Sequence, residues 1–180
     1  DILVTDGVFT AFGPGLAQQY EAQGGDPAAI EVVDLGGKLV CPPFCDTHLH
    51  LDYVFTARKP GAVNESGTLF EGIQRWSETK SDLTVDEIKQ RAKIGIKKEM
   101  LHGVQLIRSH ADVTDPNLTS LKALLELKEE LKDTVTLQIV SFPQEGMYSY
   151  EGPHGESGAE LVEEGLKMGA DCVGGIPHFE

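Results

Sequence analysis

Cysteine is scarce in this chain of 180 residues, which has only Cys41, Cys45 and Cys172. An odd, thin set of thiols cannot staple a small secreted scaffold and points to a reducing compartment. Cys41-Pro-Pro-Phe-Cys45 has no second cysteine pair to complete a structural zinc site, so two small buried thiols are the expected reading. Basic residues are also in short supply, 15 against 29 acidic ones, for a net charge of −14. Such a surface repels phosphate backbones, so nucleic acid is not an expected partner. There is no apolar run of about 18 residues to cross a membrane, and no basic stretch leading into an apolar one as in a secretory leader. These absences lead to the expectation of a soluble, cytoplasmic protein without a membrane partner. The chain starts at Asp1 inside one strand-like run and stops just after another, so a piece of a longer protein is expected.

What is present changes character near residue 43. Residues 2–12 read as two short strands around Asp6-Gly7, a hairpin signal. "GPGLAQQYEAQGGDPAA" has no clear period and reads as a surface loop. "IEVVDLGGKLVCPP" reads as a second strand pair around Gly36-Gly37. Residues 1–43 are therefore expected to be part of a small β-sandwich domain.

From residue 44 onward strands alternate with helices. The apolar residues 39–45 lead into His48 and His50, and residues 68–80 are helix-like. Thr84-Val-Asp-Glu87 is a capping-box pattern, and it opens a helix that Gly103 closes. "VQLIRSHADV", "TVTLQIVSFP" and "DCVGGIPHFE" read as strands. "LTSLKALLELKEELK" and "GAELVEEGLKMGA" read as helices, the first from its apolar stripe. The order β-α-β-α-β-α-β implies parallel strands with crossover helices. Each strand ends in groups suited to chemistry: His48 and His50, His110 and Asp112, Gln144 and Glu145, His178 and Glu180. A parallel barrel gathers such groups at the carboxyl ends of its strands, whereas a doubly wound sheet uses only a switch point. The expected fold class is α/β. Residues 44–180 are expected to supply the first half, about four βα units, of a (β/α)8 TIM barrel.

The sharpest stretch is "CPPFCDTHLHLD", residues 41–52. His48 and His50 stand two apart on a strand, so both imidazoles point the same way. They can grip one metal ion from adjacent vertices; the plainer alternative is two half-buried histidines bonded to loop carbonyls. Gln144, after Pro143, offers a donor and an acceptor on one amide, which suits a ring with adjacent N–H and C=O. It could equally cap a loop. His110, Asp112 and His178 are candidates for orienting ligands from behind, or core polar groups. Trp76 reads as core, His102 as a helix-terminal cation and His154 as solvated.

The strand-rich start followed by "LGGKLVCPPFCDTHLHLD" resembles the amidohydrolase superfamily of metal-dependent hydrolases. "ESGTLFEGIQRW", "LTSLKALLELKEEL", "LQIVSFPQEG" and "GADCVGGIPHFE" are similar, more narrowly, to bacterial-type cytosine deaminases and their relatives. The resemblance implies that His48 and His50 are the first two metal ligands. It implies that Gln144 hydrogen-bonds the amide-like edge of a pyrimidine and that Leu69 is an apolar contact to the ring. It places the remaining ligands and the catalytic acid–base groups beyond residue 180. Neither of the last two strands ends in the lysine that binuclear members carboxylate, so one divalent ion is implied, Fe2+ or Zn2+. The Pro-Cys-x-x-Cys of the other zinc deaminase class is absent. The implied reaction converts cytosine to uracil and ammonia, with a small heterocycle as partner. The intact protein is expected to be a homo-oligomer and the 180 residues alone to be inactive. The alternatives are the same chemistry on an N-alkylamino-triazine or isoguanine-type ring, a barrel that has lost its site, and a self-contained metal-binding module.

Overall fold

The computed structural model describes residues 1–179, which form two compact units, one over Asp1–Cys41 and one from Pro42 onward. In the first unit, β1 (Ile2–Thr5) and β2 (Val8–Phe12) pair antiparallel with a bulge at Leu3/Val4. Asp6 and Gly7 between them both have positive φ, 51° and 75°, the turn geometry whose twist matches the flanking strands.

Two sequence expectations are corrected in this unit. Leu16–Ala22 is a helix, α1, inside the stretch read as a loop, and none of its residues is buried. Without a buried face it carries no apolar period to read. The second strand pair does not form either. The turn at Gly36-Gly37 is there, with the Lys38 N–H donating to the Leu35 carbonyl, but residues 30–43 belong to no strand. Val32 and Leu39 are 72% and 90% exposed. Apolar residues that bury nothing do not offset the cost of ordering a strand.

The second unit is built on a parallel sheet of β3 (Phe44–Leu49), β4 (Val104–Asp112), β5 (Thr136–Phe142) and β6 (Cys172–Val173), adjacent in chain order. Helices α2 (Leu69–Lys80) and α3 (Val85–Leu101) join β3 to β4, α4 (Thr119–Glu130) joins β4 to β5, and α5 (Gly158–Met168) joins β5 to β6. This is the repeating βα order expected. The last strand is the exception. It covers two residues and gives way, after Gly174-Gly175, to a 3-10 turn at Pro177–Phe179. Two glycines and a proline are poor strand formers.

Alternation along the strands divides the sheet. Ile107 and Ala111 of β4 and Leu137 and Ile139 of β5 are buried in one core with Ile88, Ala92 and Ile96 of α3 and Leu121, Leu124 and Leu127 of α4. Each such aliphatic side chain contributes about 1.5–3 kcal/mol on burial. Leu106, Arg108 and His110 turn the other way. Cys45, Leu106, Arg108 and Gln138 line an open groove on the sheet. Cys45 is exposed there, and Cys41 is exposed as well, which corrects the reading of both as buried thiols.

The helix starts are made locally. Thr68 and Thr84 accept the amides of Glu71 and Glu87, caps worth about 1 kcal/mol each. The Thr84 box is only half formed, because Glu87 pairs with Lys59 at 2.5 Å. A complete reciprocal box forms at Ser157 and Glu160. Among the described residues no helix is long and apolar enough to cross a membrane.

Candidate active site

The carboxyl end of β3 carries the histidine pair. Its ladder with β4 slips between Asp46 and Leu49, three residues against the two from Ile107 to Ser109. Such a bulge re-aims side chains at a strand end. Asp46 Oδ1 accepts the His48 N–H at 3.0 Å inside the slip. The turn after His50 is fixed by two other elements. Leu51 N–H donates to the buried Ser109 Oγ of β4 at 3.0 Å. Arg91 of α3 donates to the carbonyls of Asp52 and Val54 at 3.0 and 2.6 Å. A Cβ on Gly95 would lie 3.3 Å from Leu51 Cδ2, so the glycine lets α3 close against this turn.

His48 Nε2 and His50 Nε2 are 3.4 Å apart. Metal–nitrogen bonds of about 2.0–2.1 Å put neighbouring donors of a tetrahedral site about 3.3–3.4 Å apart, so the pair fits two vertices of one ion. As a hydrogen bond the same distance would be long. His110 of β4 joins the cluster, with its ring 4.1 Å from that of His48 at 20° and 5.5 Å from that of His50. Tyr53 stacks on His50 at 4.5 Å, and Phe142 of β5 sets its ring against both His50 and His110. Burial in this aromatic nest, with the charges of His110 and His48, pushes the His50 imidazolium down to a pKa of about 4. His50 is thus neutral at pH 7, the ligating form. Burial and the charge of His48 lower His110 too. Nδ1 of His50 is buried without a hydrogen-bond partner, and its Nε2 faces that of His48. His110 stacks rather than converging. Among the described residues no three His, Cys, Asp or Glu side chains gather around a common point, and the approach of two ring nitrogens is that of His48 and His50.

Beside the histidines lies a buried polar network centred on Asp112, which is 1% exposed. Its Oδ2 accepts from Trp76 Nε1 at 2.7 Å and Lys80 Nζ at 3.0 Å. Its Oδ1 accepts from the amide and hydroxyl of Thr114 at 2.8 and 2.6 Å and from the Gln144 N–H at 3.3 Å. Lys80 also donates to Thr114 Oγ1 at 2.9 Å and to Glu145 Oε1. Burial works against the ammonium, but the carboxylates of Asp112 and Glu145 outweigh it and hold its pKa above the ordinary lysine value. Asp52, fully buried, accepts the Asp112 N–H at 2.9 Å. Burial, and the Asp112 charge nearby, push its carboxyl up to about 7 against the pull of the backbone amides of Asp112, Asp52 and Tyr53.

The structure thus brings together His48, His50 and His110, with Asp112 and Gln144 one network away. Gln144 is 5% exposed, just past β5. Leu69 opens α2 and is 58% exposed. His178 is exposed in the 3-10 turn, its ring 5.5 Å from that of Phe70, so it is not placed on a strand end. Glu180 lies outside the described residues. Sequence reasoning missed Tyr53, Lys80 and Ser109, none of which sits in a motif, and it gave no role to Asp52, which ends the stretch that carries the histidines. Trp76 is core, as expected, and also donates to Asp112.

A parallel βα run with imidazoles at the carboxyl end of its first strand is the arrangement of a barrel's catalytic face. The chain belongs to the amidohydrolase family, whose sequence pattern matches residues 31–180. The crystal structure of 5-methylcytosine deaminase from Klebsiella pneumoniae, liganded with phosphonocytosine, superposes with a TM-score of 0.72 at 47% identity, covering 85% of this chain and 37% of that one. N-isopropylammelide isopropyl amidohydrolase of Pseudomonas sp. (strain ADP) is 35% identical over 148 residues, 80% of this chain and 36% of the relative. Pterin deaminase of Rhizobium rhizogenes (strain K84 / ATCC BAA-868) is 28% identical over 152 residues, 82% of this chain and 32% of the relative. The chain therefore spans about a third of the length of the proteins it matches.

Proposed function

We propose that the whole protein is a metal-dependent hydrolase that deaminates an amino-heterocycle, with cytosine the first substrate to test. The observation that carries this is the 3.4 Å approach of His48 Nε2 and His50 Nε2 at the end of β3, in a chain similar to deaminases. In this reading His48 and His50 hold one divalent ion, Fe2+ or Zn2+. When bound, the ion supplies a nucleophile at neutral pH by acidifying water. His50 stays neutral to ligate, and Tyr53 and Phe142 shield it from solvent. The side-chain amide of Gln144 pairs with adjacent N–H and C=O groups of the ring, and Leu69 packs on its face. The net change adds water at the carbon bearing the exocyclic amine and releases ammonia. The same reading takes residues 1–43 as part of a small β-sandwich domain and 44–180 as the first half of the barrel, in a homo-oligomer.

The test uses the full-length protein. Metal analysis is expected to find one divalent ion per chain, sharply reduced by His48→Ala or His50→Ala. Ammonia release is then measured on cytosine, 5-methylcytosine and pterin. Two tightly held ions per chain would rule out the single-ion site. A metal-loaded protein that frees ammonia from none of these rings would rule out the deaminase. The similarity to the Pseudomonas enzyme supports a second reading, in which N-isopropylammelide yields its alkylamine in place of ammonia.

A further inference from the structure

We propose that Lys80 is a positioning residue for substrate recognition, because its ammonium ties the end of β4 to the end of β5 and so fixes the backbone that carries Gln144. The inference rests on the reading of Gln144 as the group that meets the ring. Lys80 is the last residue of α2, and its side chain is 11% exposed. Its three N–H bonds have three acceptors: Asp112 Oδ2 at the end of β4, Thr114 Oγ1 just beyond it, and Glu145 Oε1 beyond β5. The ammonium is saturated, and its Nζ lies 5.9 Å from the centre of the Tyr150 ring.

Two routes lead from this cation to Gln144. One runs through Asp112, whose other oxygen accepts the Gln144 N–H at 3.3 Å. The other runs through Glu145, the next residue in the chain. With Lys80 in place, the turn is held at the amide of Gln144 and at the side chain that follows. Without the cation, Asp112 keeps Trp76, Thr114 and Gln144 but loses its partner in charge, beside a second buried carboxyl, Asp52. The carboxylates of Asp112 and Glu145 then have no shared counter-ion, and a buried charge left unpaired is costly. The tie between the strand ends fails at the loop, because the β4–β5 ladder itself runs in register from Leu106 with Thr136 to Asp112 with Phe142 without using Lys80. A glutamine displaced by a fraction of an ångström still lies near the ring but no longer aims both halves of its amide at it. A loss of substrate binding is thus the expected signature, and a loss of metal is not.

The experiment compares full-length wild type, Lys80→Met, which keeps the aliphatic stem, and Lys80→Arg, which keeps the charge. With cytosine as substrate, Lys80→Met is expected to raise KM about tenfold, equivalent to about 1.4 kcal/mol, to leave kcat within about twofold and to leave the metal content unchanged. Lys80→Arg is expected to recover most of the loss in KM. Amide hydrogen exchange gives a readout that needs no turnover. Peptides covering residues 143–147 should exchange faster in Lys80→Met, and those covering 48–51 and 104–111 should not. Faster exchange confined to 143–147 supports the clamp even if wild type turns over no amino-heterocycle, in which case only the deaminase reading falls. An active wild type whose Lys80→Met variant keeps both its KM and its protection at 143–147 overturns the inference. So does a loss of protection spread evenly over the second unit, which would make Lys80 a general anchor of α2.

Discussion

Gln144 is nearly buried and its N–H is already engaged by Asp112, so in the proposed reading its side-chain amide is the part that meets the ligand. In the full-length enzyme Gln144→Leu would leave a ring N–H and C=O unpaired in a dry site. Each orphaned group costs about 1–3 kcal/mol, so kcat/KM is expected to fall by about two orders of magnitude, with the metal content unchanged. Gln144→Glu keeps the shape but replaces a donor with an acceptor, so it should favour rings that present two donors. Steady-state kinetics on cytosine and related rings checks both; near-normal kcat/KM for Gln144→Leu would reduce Gln144 to a loop residue. The residues that sequence could find here are those whose partners are close in the chain. His48 and His50 are two apart, and a strand period gives their common direction. His110 and Asp112 were legible as strand-end polar groups, though not as a ring stacked on His48 and a hub for Trp76, Lys80 and Gln144. Lys80 meets its acceptors 32 and 65 residues away, and no local period marks such a contact.

Elements tell the same story in coarser form. The helices with a buried stripe were readable, while α1, which buries nothing, was not. The strands around Gly36-Gly37 were expected from the apolar residues on either side of that turn, and apolar residues without a surface to cover do not make a sheet. The loop before α2 has a device of its own. The Glu71 carboxylate accepts the amides of Glu65 and Ser66 at 3.1 and 2.6 Å. The Ser66 hydroxyl and these amides hold its pKa down at about 2, against an ordinary 4.5. A carboxyl depressed in the fold contributes stability that is complete above its unfolded pKa and is lost as pH falls through the folded one. The clasp should therefore loosen between pH 4.5 and about 2. Pepsin provides the check at the Leu69–Phe70 bond. At a pH of about 4, wild type should resist cleavage there and Glu71→Gln should be cut, with wild type becoming susceptible as the pH drops towards 2. Equal cleavage of the two proteins at the higher pH would show that Glu71 does not hold the loop.

For the whole molecule, the relevant fact is that the described residues bring two candidate metal donors together and no third. A tetrahedral ion needs four ligands. The 180 residues expressed alone are therefore expected to bind divalent metal weakly and to show no deaminase turnover. Titration with zinc and an ammonia assay would check this. A monomeric 180-residue protein that deaminates cytosine would overturn both the ligand count and the assignment of the remaining roles to residues beyond it. The parallel order of β3 to β6 was legible from the alternation of periods. The brevity of β6 was not, because its glycines follow an apolar pair that reads as the start of a longer strand.

Trp76 is the only tryptophan in these 180 residues. Its indole lies 4.7 Å from the Tyr53 ring, which in turn stacks on His50, and its N–H is held by the buried Asp112. In the isolated chain, light absorbed selectively by tryptophan is thus emitted from one ring, wired on one side to a metal-ligand candidate and on the other to the strand-end carboxylate. Its emission band becomes a built-in optical reporter. Filling or emptying the histidine pair, or releasing the Asp112 contact, changes the surroundings of a single fluorophore, and no dye has to be attached to see it.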